Sequence, residues 1–320
     1  MRASRLTPAV RTALSLLDET KVVYLELLKI MVPALLIVKC LELLGMTTLL
    51  GQWLAPVMTP LGLPEPLSLV WAATLLTNIY TGVVIFLDVS RDMSLSVAQV
   101  TVLGSLMAIG HSLPVEGAVA RKAGIPWWLT LTLRMGGAWL LAWSLHLAYS
   151  LGNGLQHVNR LAWESAPQDV SLDTWLWQQL QTLATIFVVI MALIAILRLL
   201  RRLGIERVIH RLLAPCLRWL GIGPDAANIT VIGITLGLSY GAGMLLHETR
   251  SGRLTSRDVL LTLSFLGLCH SLIEDTLLIM LMGADASGIL WARLGFSLVV
   301  VTLLARLPHH RLARLESRRR

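Results

Sequence analysis

The sequence predicts an all-α membrane protein made of two homologous helical repeats, inverted relative to one another, each with a broken or re-entrant motif helix. Three observations predict it. Of 320 residues, 55% are hydrophobic and 14% charged, where a soluble domain carries about a quarter charged residues; the mean hydropathy is +0.71. Long apolar runs (Leu67 to Leu87, Trp127 to Leu147, Leu183 to Leu197, Ala226 to Leu246, Ile289 to Leu304) approach the roughly 20 residues a bilayer-spanning helix needs. The chain also matches itself without a gap. Gly110-His111-Ser112-Leu113-Pro114-Val115-Glu116 falls on Cys269-His270-Ser271-Leu272-Ile273-Glu274-Asp275, an offset of 159 (270 − 111). That offset also places Leu54-Ala55-Pro56 on Leu213-Ala214-Pro215, Gly82 on Gly241, Arg91 on Arg250 and Arg134 on Arg293.

Each repeat reads as one series of elements. A first span (Lys21 to Gly45; Leu180 to Gly204) ends in a Leu-Gly pair. A short amphipathic segment follows (Gln52 to Leu61; Arg211 to Leu220), whose Trp53 and Trp219 suit a helix lying in the membrane interface. A second span covers Leu67 to Leu87 and Ala226 to Leu246. The motif region comes next (Ser96 to Gly124; Thr255 to Gly283), and a last span closes each unit (Trp127 to Leu147; Gly288 to Leu304). The expected domains are a first repeat over 1–151, a polar periplasmic linker over 152–174, a second repeat over 175–305 and a basic cytoplasmic tail over 306–320.

Charge sets the topology. The net charge of +8 is carried by arginines clustered beside apolar segments, notably Arg198, Arg201, Arg202, Arg207, Arg211 and Arg218, then Arg306 onward. Such clusters belong on the cytoplasmic side and are no signature of nucleic-acid binding. If the motif region enters and returns on one side, each repeat crosses three times. An odd number inverts the second copy, places the acidic linker outside and leaves both termini inside. If it crosses fully, the count is four and the Arg198 to Arg218 cluster falls outside. The positive-inside bias favours inversion; a loop carrying Arg250, Arg253 and Arg257, which then falls outside, counts against it. The three cysteines, Cys40, Cys216 and Cys269, supply no disulfide framework.

The chemistry concentrates at the His-Ser pairs. Ser271-Leu272-Ile273-Glu274 has a capping-box pattern, and Pro114 after Ser112 is tolerated only in a first helical turn. The helix is therefore expected to break at each histidine, with half-helix ends facing a ligand. Ionisable groups at membrane depth are costly and usually functional. The expected binding residues are His111, Ser112, Glu116, His270, Ser271, Glu274 and Asp275, with Asn78 and Tyr240 from the second spans. An alternative ligand set for a soft or borderline divalent metal is His111, Glu116, Cys269, His270 and Glu274. A plainer reading stays open: Ser and Glu cap a helix, and the histidine donates to a backbone carbonyl. Arg134 and Arg293 are expected to pair with the motif carboxylates, and Glu26, Lys29, Lys39 and Glu42 to snorkel or pair. No nucleotide-binding or hydrolase motif is present, so neither an enzyme nor a cofactor is expected.

Gly110-His111-Ser112-Leu113-Pro114, followed by Arg121, with Cys269-His270-Ser271-Leu272 as counterpart, resembles the nucleoside-recognition, or gate-domain, family of bacterial inner-membrane proteins. That family includes spore maturation proteins A and B and the gate domains of ferrous-iron transporter B. In the latter, a Cys stands where this chain has His111, and Asn where it has Ser112. The resemblance implies a multi-pass inner-membrane transporter or permease for a small polar, nucleoside-like solute or an ion, working by alternating access around the paired motifs. Two alternatives stand beside it: a divalent-metal permease, and a non-transporting membrane assembly protein. The expected partners are the lipid bilayer, the solute, and a second copy or a membrane partner; nucleic acid is not among them.

Overall fold

The computed structural model describes residues 8–91, 93–160, 171–236, 244–245, 248 and 254–307. Among them the chain is helical throughout, with one isolated bridge between Ser96 and Val158. The helices are α1 (Pro8–Leu43), α2 (Met46–Met58), α3 (Leu67–Leu76), α4 (Ile79–Val89), α5 (Val97–Gly110), α6 (Leu113–Lys122), α7 (Trp127–Leu131) and α8 (Gly137–Leu151). They continue as α9 (Leu172–Arg202), α10 (Ile205–Trp219), α11 (Pro224–Leu236), α12 (Ser256–Cys269), α13 (Leu272–Met280) and α14 (Arg293–Ala305). Short π-helical segments, Thr132–Gly136 and Ser287–Ala292, lead into α8 and α14.

Among the described residues, four helical stretches are long and apolar enough to cross a membrane: Val97–Lys122, Leu172–Arg202, Ser256–Met280 and Ser287–Ala305. Their surroundings differ. The apolar windows of the two motif stretches are 72% and 67% buried, against 17% for Leu172–Arg202. The motif helices therefore form the centre, and α9 turns an apolar face outward, toward lipid in a membrane.

Contacts sort the helix ends. At one end, Val97 N–H donates to His157 O at 3.0 Å and Ala98 N–H to Leu155 O at 2.9 Å, so the segment after α8 caps the start of α5. The same end holds Gly62, whose carbonyl accepts from Gln99 Nε2 at 2.9 Å. Met282 O lies there too, accepting from Asn159 Nδ2 at 2.8 Å. At the other end, Arg257 Nη2 donates to Ala305 O at 2.9 Å, Gly223 N–H donates to Asp258 Oδ1 at 2.8 Å, and Arg198 reaches Glu19. We call these the linker end and the arginine end. Helix α5 starts at the first and α12 at the second.

This assignment corrects the expected second span. The run Leu67 to Leu87 is not one helix but a hairpin. It leaves the Gly62 turn at the linker end, breaks at Thr77-Asn78 and returns through α4 to the start of α5. Thr77 takes φ −116° and ψ −96°, and Asn78 is extended. The Asn78 Oδ1 accepts from Thr81 N–H at 2.9 Å, the side-chain cap that asparagine supplies well at a helix start. Two limbs of 10 and 11 residues, at 1.5 Å per residue, are each too short to cross. The re-entrant element thus precedes the motif region, and the motif helix is broken but runs on as a candidate span.

The helices at the expected first spans begin earlier than expected, at Pro8 and, in the second unit, at Leu172; of the two, Leu172–Arg202 is a candidate span and Pro8–Leu43 is not. Of the linker, residues 161–170 lie outside the described residues, as does the tail beyond Leu307. The expected local pairs on the first span form, Lys29 with Glu26 at 2.6 Å and Lys39 with Glu42 at 2.9 Å. Trp53 and Trp219 on α2 and α10 are 81% and 70% exposed, as suits interfacial helices.

Candidate functional site

Both motif helices break as the sequence predicts, by a different local device. Pro114 has no N–H, and in a continuous helix its ring would meet the carbonyl of Gly110 four residues back. The chain instead leaves α5 with His111 extended and Ser112 left-handed, at φ 51°. In the second unit His270 is extended and Ser271 left-handed, at φ 46°. Neither serine side chain caps the following helix. The expected Ser271–Glu274 capping box is therefore absent, because a left-handed residue at the start directs its Oγ away from the third backbone N–H. The boxes that do form are Ser96–Gln99 and Thr255–Asp258, at the outer starts of α5 and α12. Glu274 accepts instead from Tyr80 Oη at 2.6 Å, tying α13 to the hairpin. Left-handed conformation costs an L-residue about 1–2 kcal/mol. Ser271 already bears that cost, so Ser271→Val, adding β-branching there, is expected to lose further stability in thermal unfolding, and Ser271→Gly to lose none.

A buried arginine supports each break. Arg134 Nε donates to Ile109 O at 3.0 Å and Nη2 to His111 O at 2.7 Å, while Nη1 holds Glu116 Oε2. Arg293 repeats the set: Nε to Leu268 O at 3.0 Å, Nη2 to His270 O at 3.0 Å, and Nη1 to Asp275 Oδ2 at 3.1 Å. The carbonyls freed where α5 and α12 end thus find partners in a planar fork of N–H donors. The arginines are 1% and 0% exposed. The expected pairing of Arg134 and Arg293 with the motif carboxylates is what the structure contains.

The histidines meet. His111 Nδ1 lies 3.1 Å from Met107 O, and His270 Nδ1 lies 2.7 Å from Leu266 O. A carbonyl oxygen only accepts, so each Nδ1 carries a proton; a neutral ring then presents a lone pair at Nε2, and a protonated ring a second N–H. Those two Nε2 atoms are 3.0 Å apart. Glu116 Oε1 stands 3.4 Å from the first and 3.1 Å from the second. The plainer reading of the histidines therefore accounts for one nitrogen of each ring and leaves the other nitrogen of each ring to the site.

The remaining expected residues divide. Asp275 lies beside the pair: ligand atoms of His111, His270 and Asp275 fall within 4.8 Å of one another, all buried. Ser112 contributes backbone, its N–H donating to Thr74 O on the hairpin at 3.1 Å; Ser271 N–H faces Gly233 O at 3.5 Å. Asn78 caps α4 at the hairpin tip. Cys269 is not in the metal-capable cluster: it lies on the last turn of α12, and its thiol faces Ser297. Glu274, engaged by Tyr80, is not in it either, nor is Glu116, which stands against both histidines. Tyr240 lies outside the described residues. Beside Glu116 and Arg134 is a cavity of about 20 Å³, lined also by Ser264 and Gly267, room for a water-sized group.

Comparisons with known proteins agree with this picture. Residues 24–126 match the family model described as Gate: Nucleoside recognition. That stretch takes in the hairpin, the α5–α6 break and His111, Ser112 and Glu116, and it stops before Arg134. Membrane protein YvoD of Bacillus subtilis (strain 168) is 27% identical over 284 residues, covering 87% of this chain and 88% of its own. No solved structure matches the chain. The chain is thus similar over residues 24–126 to the nucleoside-recognition, or gate-domain, family, and over most of its length to a Bacillus membrane protein.

Proposed function

We propose that this protein is an inner-membrane permease for a small polar solute or ion, with the paired His-Ser breaks as its binding site. The observation that carries the reading is the meeting of His111 and His270, 159 residues apart, at 3.0 Å in the middle of two broken helices. A break and a buried ionic network in the most enclosed part of a membrane protein serve binding better than stability. The equivalent Arg–carboxylate pairs, Arg134–Glu116 and Arg293–Asp275, support descent of the two units from one ancestor.

Opposite starting ends for α5 and α12 support inversion of the second unit, and so does the hairpin. With α3–α4 returning to its own side, each unit crosses three times while its motif helix still spans. Of the arginine loop that counted against inversion, Arg257 sits beside Ala305 at the arginine end, while Arg250 and Arg253 lie outside the described residues. By the positive-inside rule that end, with both termini, faces the cytoplasm. Switching would consist of one unit rocking against the other about the His111–His270 contact, with no enzymatic step.

The test is uptake into proteoliposomes, screened over nucleosides, other small polar solutes and ions. For the solute that wild type accumulates, His270→Ala is expected to abolish uptake while the protein remains folded and monodisperse. Normal uptake by that variant overturns the assigned site. Absence of flux for every solute, together with a stoichiometric co-purifying partner, would favour an assembly role instead.

A further inference from the structure

We infer that His111 Nε2, His270 Nε2 and Glu116 Oε1 form a tripodal site for a divalent transition-metal ion of borderline softness, with Asp275 at hand as a fourth ligand. The inference rests on the permease reading only in taking that ion as cargo; the binding claim stands on the geometry alone.

With both rings neutral, three acceptors converge here. Both Nδ1 protons are committed to Met107 O and Leu266 O, so the facing Nε2 atoms of the neutral rings present lone pairs. A carboxylate oxygen adds a third. Their separations are 3.0, 3.1 and 3.4 Å. Lone pairs held that close in a buried site repel unless a proton or a metal cation lies among them. The spacing suits a metal: ligands about 2.0–2.1 Å from a tetrahedral zinc-like centre stand roughly 3.3 Å from one another. A calcium-like ion wants six to eight oxygens at longer range, and two imidazoles with carboxylates suit Zn²⁺, Fe²⁺ or Co²⁺ better than hard cations.

The surroundings match what metal ligands require. Each imidazole is oriented by a backbone carbonyl at its far nitrogen, the support ligating histidines commonly have. Glu116 divides its oxygens, Oε2 to Arg134 and Oε1 to the histidines, so the arginine aims the ligand oxygen. Asp275 is fixed the same way by Arg293, and its carboxylate lies within 4.8 Å of the histidine nitrogens. A fourth ligand thus needs a shift of an ångström or two. Ser264 Oγ, buried and with no hydrogen-bond partner among the described residues, lines the small cavity beside Glu116 and Arg134. Neither histidine lines that cavity, which has room for a water-sized group and not for a nucleoside.

The experiment is titration of the full chain in detergent with Co²⁺ and Zn²⁺, followed by X-ray absorption of the zinc-loaded protein. One saturable equivalent per chain is expected, with tetrahedral cobalt bands and a nitrogen and oxygen shell free of sulfur. His270→Gln and Glu116→Gln should each weaken binding by about 100-fold or more. The X-ray absorption measurement on wild type decides the matter if either variant folds poorly. Absence of saturable binding, a sulfur ligand, or unchanged affinity in both folded variants overturns the site. Wild type that binds metal without moving any solute upholds the site and overturns the permease reading. Wild type that accumulates an organic solute through His270 without binding metal does the reverse.

Discussion

Arg134→Met is expected to destabilise the protein by about 3–5 kcal/mol, the cost of leaving one member of a buried ion pair without its partner. The side chain is 1% exposed and serves three acceptors at once: Ile109 O, His111 O and Glu116. Water reaches none of them readily, so the carbonyls at the end of α5 lose their partner as well as the carboxylate losing its counter-charge. Arg134→Lys should recover little, since one ammonium on a flexible stem does not reproduce a fixed fork aimed at three points. Adding Glu116→Gln to Arg134→Met should restore part of the loss by removing the uncompensated charge; a double-mutant cycle in thermal unfolding measures that coupling. A single variant melting within about 1 kcal/mol of wild type would mean that the break is held by packing alone, against the buried-pair cost assumed here.

How much of this was legible beforehand follows from which signals are local. The break at His111 could be read from Gly110 and Pro114, because a proline forbids the helix that would otherwise run through it. The arginine–carboxylate pairing could be read from unpaired charges in apolar spans, which have few places to go. The hairpin was not read. Leu67 to Leu87 is continuously apolar apart from Ser68, Thr74, Thr77, Asn78, Tyr80 and Thr81, and length alone argues for a crossing. Its one local signal was Asn78 three residues before Thr81, an N-cap in what looked like mid-span. The Ser271–Glu274 box failed for the opposite reason. Its pattern is right, but the chain turns so sharply after His270 that Ser271 is left-handed, and Tyr80, 194 residues away, claims the carboxylate. Long-range contact overrode a local rule at the site itself, where such exceptions are expected.

Glu116→Asp is expected to reduce uptake by on the order of 10–100-fold, the range seen when support around a bound ion is disturbed, while leaving stability close to wild type. Positions 116 and 275 are equivalents, each 18 residues before its arginine, yet one is glutamate and the other aspartate. That single methylene makes the site asymmetric. Glu116 spans from Arg134 to both imidazoles, whereas Asp275 pairs with Arg293 at 3.1 Å. An aspartate at 116 is shorter by about 1.5 Å, one carbon–carbon bond, so it keeps the arginine and withdraws from Nε2. The fold-holding pair survives and the third ligand is lost, which separates binding from stability in a way Arg134→Met does not. Asp275→Glu should act in the other sense, bringing a second carboxylate to the pair, so the solute is held more tightly and released more slowly. Wild-type uptake by Glu116→Asp would show that carboxylate reach is no part of the site. If Glu116→Asp and Asp275→Glu shift binding affinity in the same direction, the asymmetry between the two units has no role in the site.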